Sequence, residues 1–177
     1  GVTGVRDLAW PPDDVFSTVE ASEGPAFNGP LVRAAGPMVT CPGGYPSRAA
    51  WAPTGTAREV RGADEAASAV RELVARGASV EDVVLAANTA FYNAFEAGDL
   101  DLMAAVWLPE PDPVCIHPGN AAISGYAEMM RAWAMIFANT PYIQFFLTDV
   151  QVRVDGDVAY VTCTENVLSS GEGAPEE

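Results

Sequence analysis

The chain has 177 residues, 49% of them apolar, which suits one ordinary domain or one domain with a substantial appendage and is too apolar for wholesale disorder. It carries 24 acids against nine basic residues, a net charge of −15, and every one of the nine is arginine. Such a balance repels phosphate backbones and argues against nucleic-acid partners, while the absence of lysine excludes Schiff-base chemistry and a carbamylated-lysine metal bridge.

No apolar run reaches the ~18 residues of a membrane span, so no membrane association is expected and a cytoplasmic location is the default. A first residue of glycine points to a fragment, which would hide any targeting segment. With a single histidine, His117, there is neither a His-x-His pair nor an HExxH helix. Cys41, Cys115 and Cys163 stand apart without CxxC spacing, so they read as reduced, buried thiols; no metal site and no cofactor is expected.

Residues 1–62 are rich in Gly and Pro, with "WPPDD", "GPAFNGP", "CPGGYP" and "WAPTGT" interrupting any long periodic element. Leu31–Val32 and Met38–Val39 are candidate short strands. "GADEAASAVRELVARGAS" predicts a helix with Asp64 as N-cap, Gly77 as its stop, and Ala66, Val70, Leu73 and Val74 on one apolar face. A second helix spans about 80–97, ends at Gly98 and carries a broad stripe of Val84, Leu85, Asn88, Phe91, Tyr92 and Phe95. "DLDLMAAVWLP" predicts a third, capped by Asp99 and ended by Pro109. "DPVCIHP" is a brief strand, and "SGYAEMMRAWAMIFANT" a fourth helix. Two alternating runs joined by Asp155-Gly156 then predict a hairpin, with Val150, Val152 and Val154 on one face and Gln151 and Arg153 on the other. "GEGAPEE" closes the chain as a polar loop. Helices followed by antiparallel strands make the C-terminal half α+β.

From about residue 83 the words "AFYNAFEAGDLDLMAAVW", "VCIHPG", "ISGYAEMMRAWAMIFA" and "VQVRVDGDVAYVTCTENV" occur in an order and spacing that resemble the SnoaL-like branch of the ketosteroid isomerase and nuclear transport factor two superfamily. That resemblance implies helices packed on a curved antiparallel sheet, a cone-like α+β barrel around an apolar pocket. It also implies two further strands that this chain lacks, leaving an open edge suited to a homodimer. Residues 1–79 carry "GVTGVRDLAWPPDDVF", "GPLVRAAGPMVTCPGGYP" and "EVRGADEAASAVRELVARGAS", which resemble an internal fragment of an imidazolonepropionase-like metal-dependent amidohydrolase. This implies a Gly/Pro-rich partial α/β-barrel segment, here without any metal ligand. Two domains are therefore expected, 1–79 and 80–177.

Against the ketosteroid isomerase pattern, His117 falls where that enzyme has its carboxylate base. With an unperturbed pKa of ~6.5, an imidazole there would be a candidate base for a carbon acid, or equally a pocket-wall imidazole bonded to a carbonyl or ligand. The family's oxyanion-donating tyrosine corresponds to Phe91, which weakens the isomerase reading; the neighbouring Tyr92 is rotated ~100° around the helix. Candidate pocket residues are Phe91, Phe95, Trp107, Trp133, Tyr160 and Thr162. The last two share a strand face with Thr164, although hydroxyls on a half-exposed sheet are commonly structural. The expected function is binding of an apolar small molecule, extending to isomerase-type proton transfer if His117 acts as a base. The alternatives are an amidohydrolase remnant lacking its metal ligands and a non-catalytic dimerisation module.

Overall fold

The computed structural model describes residues 2–108, 113–156 and 158–170. The chain opens with β1 (Gly4–Asp7), α1 (Pro12–Glu23) and β2 (Leu31–Ala34), and the two strands pair in parallel from Gly4↔Leu31 to Asp7↔Ala34. β3 (Met38–Thr40) and β4 (Ala57–Glu59) form a second parallel pair, followed by α2 (Ala63–Ala75). The first pair is joined by a helical crossover, α1, whereas residues 41–56, without a helix, join β3 to β4. α1 was not anticipated, because its prolines read as breakers. Pro12 in fact occupies the first turn, where a missing N–H costs nothing, and Asp13 and Asp14 complement the helix dipole. α2 begins one residue before Asp64, with Gly62 rather than Asp64 at the cap position.

α3 (Val80–Ala97) is the central element. The Ser79 hydroxyl accepts the Asp82 N–H at 3.0 Å, acids occupy the first turn, and Gly98 ends the helix in the left-handed conformation at φ 59°. Asp99 at once caps α4 (Leu100–Val106) by accepting from the N–H groups of Asp101 and Leu102. α4 stops at Val106, before Pro109, which lies outside the described residues, as does the segment 171–177. β5 (Val114–Cys115) pairs with β6 (Ile123–Ser124), and α5 (Tyr126–Asn139) leads into the long hairpin β7 (Tyr142–Asp155) and β8 (Val158–Ser170).

One stripe of α3, Val83, Ala86 and Ala90, packs against Leu8, Ala35, Met38 and Tyr45 of the N-terminal half. An adjacent stripe, Phe91, Ala94 and Phe95, joins Met103, Cys115, Met129 and Trp133 in the main core. A third side meets the hairpin through Tyr92, whose ring lies edge-on to Phe145 at 5.1 Å, and through Glu96, which accepts the Phe145 N–H at 2.7 Å. The helix is thus apolar most of the way round because it is covered most of the way round. Contacts also cross the boundary expected near residue 79: Arg6 pairs with Asp82 at 3.0 Å, and that carboxylate is 1% exposed.

The C-terminal half is α+β as expected, helices packed with antiparallel strands, and two details of the strands were not anticipated. Among the described residues the antiparallel strands form two separate two-stranded ladders, β5–β6 and β7–β8, and not one continuous curved sheet. The hairpin also contains a bulge: Asp149 and Val150 together oppose Cys163, with Asp149 at φ 54°, a left-handed conformation that aspartate tolerates. The extra residue switches the inward positions of β7 from odd (Phe145, Leu147) to even (Val152, Val154), whereas β8 keeps odd positions inward.

Candidate functional site

A pocket of about 460 Å3 opens between α3, α4, β5 and β8. Val84, Phe91, Val106, Trp107 and Val161 supply most of its wall, with Asn88 and Cys115 as the polar side chains. The Trp107 indole N–H is turned to the Met103 sulfur at 3.4 Å, and burial raises the Cys115 thiol above its ordinary pKa, so it stays protonated. Phe91 is held edge-on by Trp107 at 6.4 Å and by Trp133 at 5.6 Å, with Phe95 another 5.0 Å from Trp133. Such tilted arrangements fix the wall in one geometry. Of the candidate residues, Phe91 and Trp107 line this pocket, while Phe95 and Trp133 form the layer behind.

His117 lies just past β5, at the first position of a turn. Its carbonyl accepts the Asn120 N–H at 3.0 Å, Pro118 follows, and Gly119 takes φ 77°. "HPGN" thus has the residues of a type II turn: proline presets the second position and glycine alone takes the third without strain. The imidazole is half-buried, edge-on to Trp133 at 4.8 Å, with Nε2 3.8 Å from the Cys115 sulfur. It stands beside the pocket, behind Cys115, and is not part of the lining. The Trp133 indole nitrogen is buried with no acceptor among the described residues.

The tyrosine next to Phe91 faces elsewhere. Tyr92 is buried, and its hydroxyl donates to Glu165 Oε1 at 2.5 Å and lies 3.4 Å from the Cys163 sulfur. Burial, then the bond to Cys163, then Glu165 drive its pKa far above the ordinary tyrosine value, so the proton stays on the hydroxyl. That donor locks β8 to α3 and is not offered to the pocket.

Tyr160 and Thr162 are not brought to the site. Val161, Cys163 and Glu165 point at α3, so Tyr160, Thr162 and Thr164 occupy the opposite face; Tyr160 is 57% exposed and Thr162 is exposed. The three do share a face, as expected, but it is the outer one. Sequence reasoning passed over Asn88 and Val106 as pocket residues, and on β8 it passed over Val161 and Glu165. The signal for the last two was the alternation Val161-Cys163-Glu165, whose direction only the docking of Tyr92 reveals. No group of three or more His, Cys, Asp or Glu side chains converges among the described residues. No helix of the described residues is long and apolar enough to cross a membrane.

Comparison with known proteins extends this picture. A family model for the SnoaL-like domain matches residues 84–177. The F-box protein SKIP8 of Arabidopsis thaliana is 30% identical over 79 residues, which is 45% of this chain and 34% of that one, so the match spans about a third of that relative. A Streptomyces avermitilis protein described as a dehydratase of the NTF2-like family is 50% identical at a TM-score of 0.46, over 49% of this chain and 69% of its own. An association domain of the calcium/calmodulin-dependent protein kinase type II kind from Thiobacillus denitrificans is 32% identical at a TM-score of 0.43, over 50% and 70%. No amidohydrolase is among these relatives, so the resemblance of residues 1–79 to that family gains no support from them.

Proposed function

Because the chain belongs to the SnoaL-like family through residues 84–177, we propose that this part binds an apolar small molecule in the pocket between α3, α4, β5 and β8. The observation that carries the reading is the lining: about 460 Å3 walled by aliphatic and aromatic side chains, with the Asn88 amide as its one strong hydrogen-bonding side chain. An amide both donates and accepts, so it suits a ligand with a single carbonyl or hydroxyl on an apolar body.

Binding without proton transfer has the better support. A carbon-acid reaction needs a base facing the ligand and a donor for the oxyanion. His117 packs on Trp133 behind Cys115, and the Tyr92 hydroxyl is committed to Glu165. The imidazole therefore acts on the pocket by packing against Trp133 and Cys115 in and behind its wall. Titration with the neutral fluorophore N-phenyl-1-naphthylamine tests this. Val161→Phe, which fills the pocket, is expected to weaken binding by about tenfold or more, whereas His117→Ala is expected to change it by about threefold or less. Unchanged binding by Val161→Phe would place the ligand elsewhere, and loss of binding in a folded His117→Ala would make the imidazole a direct ligand contact.

A further inference from the structure

We infer that the chain has a second ligand site, a cavity at the seam of its two halves that takes an amphipathic monocarboxylate, an apolar tail ending in one carboxylate. The cavity is about 490 Å3 and lies where the C-terminal ends of β3 and β4 and the start of α2 face α3 and α4. Val60 and Val70 line it from one side, and Val83, Val84 and Val106 from the other. Only the Val84–Ala87 stretch of α3 and the Val106–Trp107 end of α4 are shared with the pocket described above. The carboxyl ends of parallel strands are where α/β layers leave a crevice for ligands, because the connecting loops diverge there.

The polar groups sit together at one end. Arg61 is the one charged side chain of the lining and is exposed at its rim, near Thr40 and Cys41. Its guanidinium, like those of Arg48, Arg71 and Arg153, has no ion-pair partner among the described residues, but of these four only Arg61 lines the cavity. The acids flanking it in sequence, Glu59 and Glu65, each accept a backbone N–H, and the Arg61 charge is a lesser influence among those lowering the Glu59 carboxyl. Glu65 accepts the Arg61 N–H at 2.6 Å, and Glu59 accepts the Gly43 N–H at 2.9 Å, a bond that, with Ser47, holds its carboxyl below the usual range. Burial and the nearby Glu59 carboxylate raise the Cys41 thiol, so it remains a neutral part of the wall.

An anionic head at Arg61 with an apolar tail along the valines matches this distribution. The chain's charge of −15 sets the upper limit: a single carboxylate is tolerated beside one arginine, whereas a polyanion is repelled by the whole surface.

Calorimetric titration of the full chain with decanoate and with decanol, both below their aggregation limits, tests the site. Wild type is expected to bind decanoate about tenfold tighter than decanol, the increment of one charge-assisted hydrogen bond. Arg61→Gln is expected to bring the two ligands to equal affinity while keeping decanol binding. In a Val161→Phe background, which closes the other pocket, Ala66→Phe, which fills this cavity alone, is expected to abolish both; Val70→Trp serves the same purpose should Ala66→Phe fail to fold. Val161→Phe, in the other pocket, is expected to leave decanoate binding within about twofold, which separates this site from the one proposed above. Equal affinity of wild type for the two ligands, a preference that survives Arg61→Gln, or decanoate binding that survives a folded cavity-filling variant in the Val161→Phe background would each overturn the assignment.

Discussion

Asp7, the last residue of β1, shows how a single side chain sets a pH dependence. One carboxylate oxygen is buried with no hydrogen-bond partner among the described residues, and burial raises its pKa despite a stabilising bond to the Ala9 backbone. A raised acid binds its proton more tightly folded than unfolded, so its favourable contribution is complete below the unfolded value of ~3.9 and is lost as pH rises through the folded value. At pH 7 the ionised group therefore opposes folding. Asp7→Asn is expected to raise the Tm at pH 7, with the gain shrinking towards pH 4, as followed by thermal denaturation across that range; a gain independent of pH would refute the argument. His117 illustrates the opposite case, a residue whose chemistry drew attention before its packing was known. Its turn was legible in "HPG", since proline and glycine at those positions specify the backbone. Its contact with Trp133 was not, because those residues are 16 positions apart and meet only when α5 packs against β5.

At the scale of elements, α3 was readable because its signals are local: Ser79 before it, acids in the first turn, an apolar stripe and Gly98 after it. Ser79→Ala removes the cap on the Asp82 N–H and is expected to cost about 1 kcal/mol of stability by urea denaturation, whereas Ser79→Asp should restore it. The hairpin was readable as a hairpin for the same reason, Asp155-Gly156 between alternating runs. Its orientation was not. Alternation specifies which residues share a face and leaves open which face is covered, and a bulge at Asp149 changes the parity of one strand part-way along. Tyr160 and Thr162 were lost from the pocket by that one choice. α1 was missed for another reason, since "WPPDD" contains prolines that break a helix in its interior and favour its first turn.

For the whole molecule, the seam between the halves decides what α3 is. A SnoaL-like domain beginning at residue 84 would present Ala86 and Ala90 to water; here the N-terminal half covers them. Arg6 reinforces that contact by facing Asp82, whose carboxylate is nearly inaccessible, although the pair is not aligned as a hydrogen bond. Arg6 is itself 56% exposed, so solvent screens the attraction, and the larger effect comes from what its removal leaves behind. Arg6→Ala is expected to destabilise the chain by about 1–2 kcal/mol, and adding Asp82→Asn should recover part of that loss, because the second change removes the uncompensated buried charge. Urea midpoints of the two variants and the double variant measure it. No recovery in the double variant would mean that the pair contributes nothing to holding the halves together.

What the sequence by itself determined were the properties carried by neighbours in the chain: the helices with their caps, the two turns, the hairpin, and the family-like order of motifs from residue 83 onward. Composition added expectations, chiefly that a chain with no lysine, one histidine and a charge of −15 would repel nucleic acid and lacks the residues for histidine-rich metal chemistry. Only the tertiary structure decided which face of β8 meets α3, that Tyr92 is committed to Glu165 and Cys163, that His117 stands behind the pocket wall, and that a cavity lies at the seam. The reason is the same in each case. Local propensity acts through bonds and neighbours a few residues apart, whereas a pocket is the space left among elements tens of residues apart, and that space exists only after they have packed.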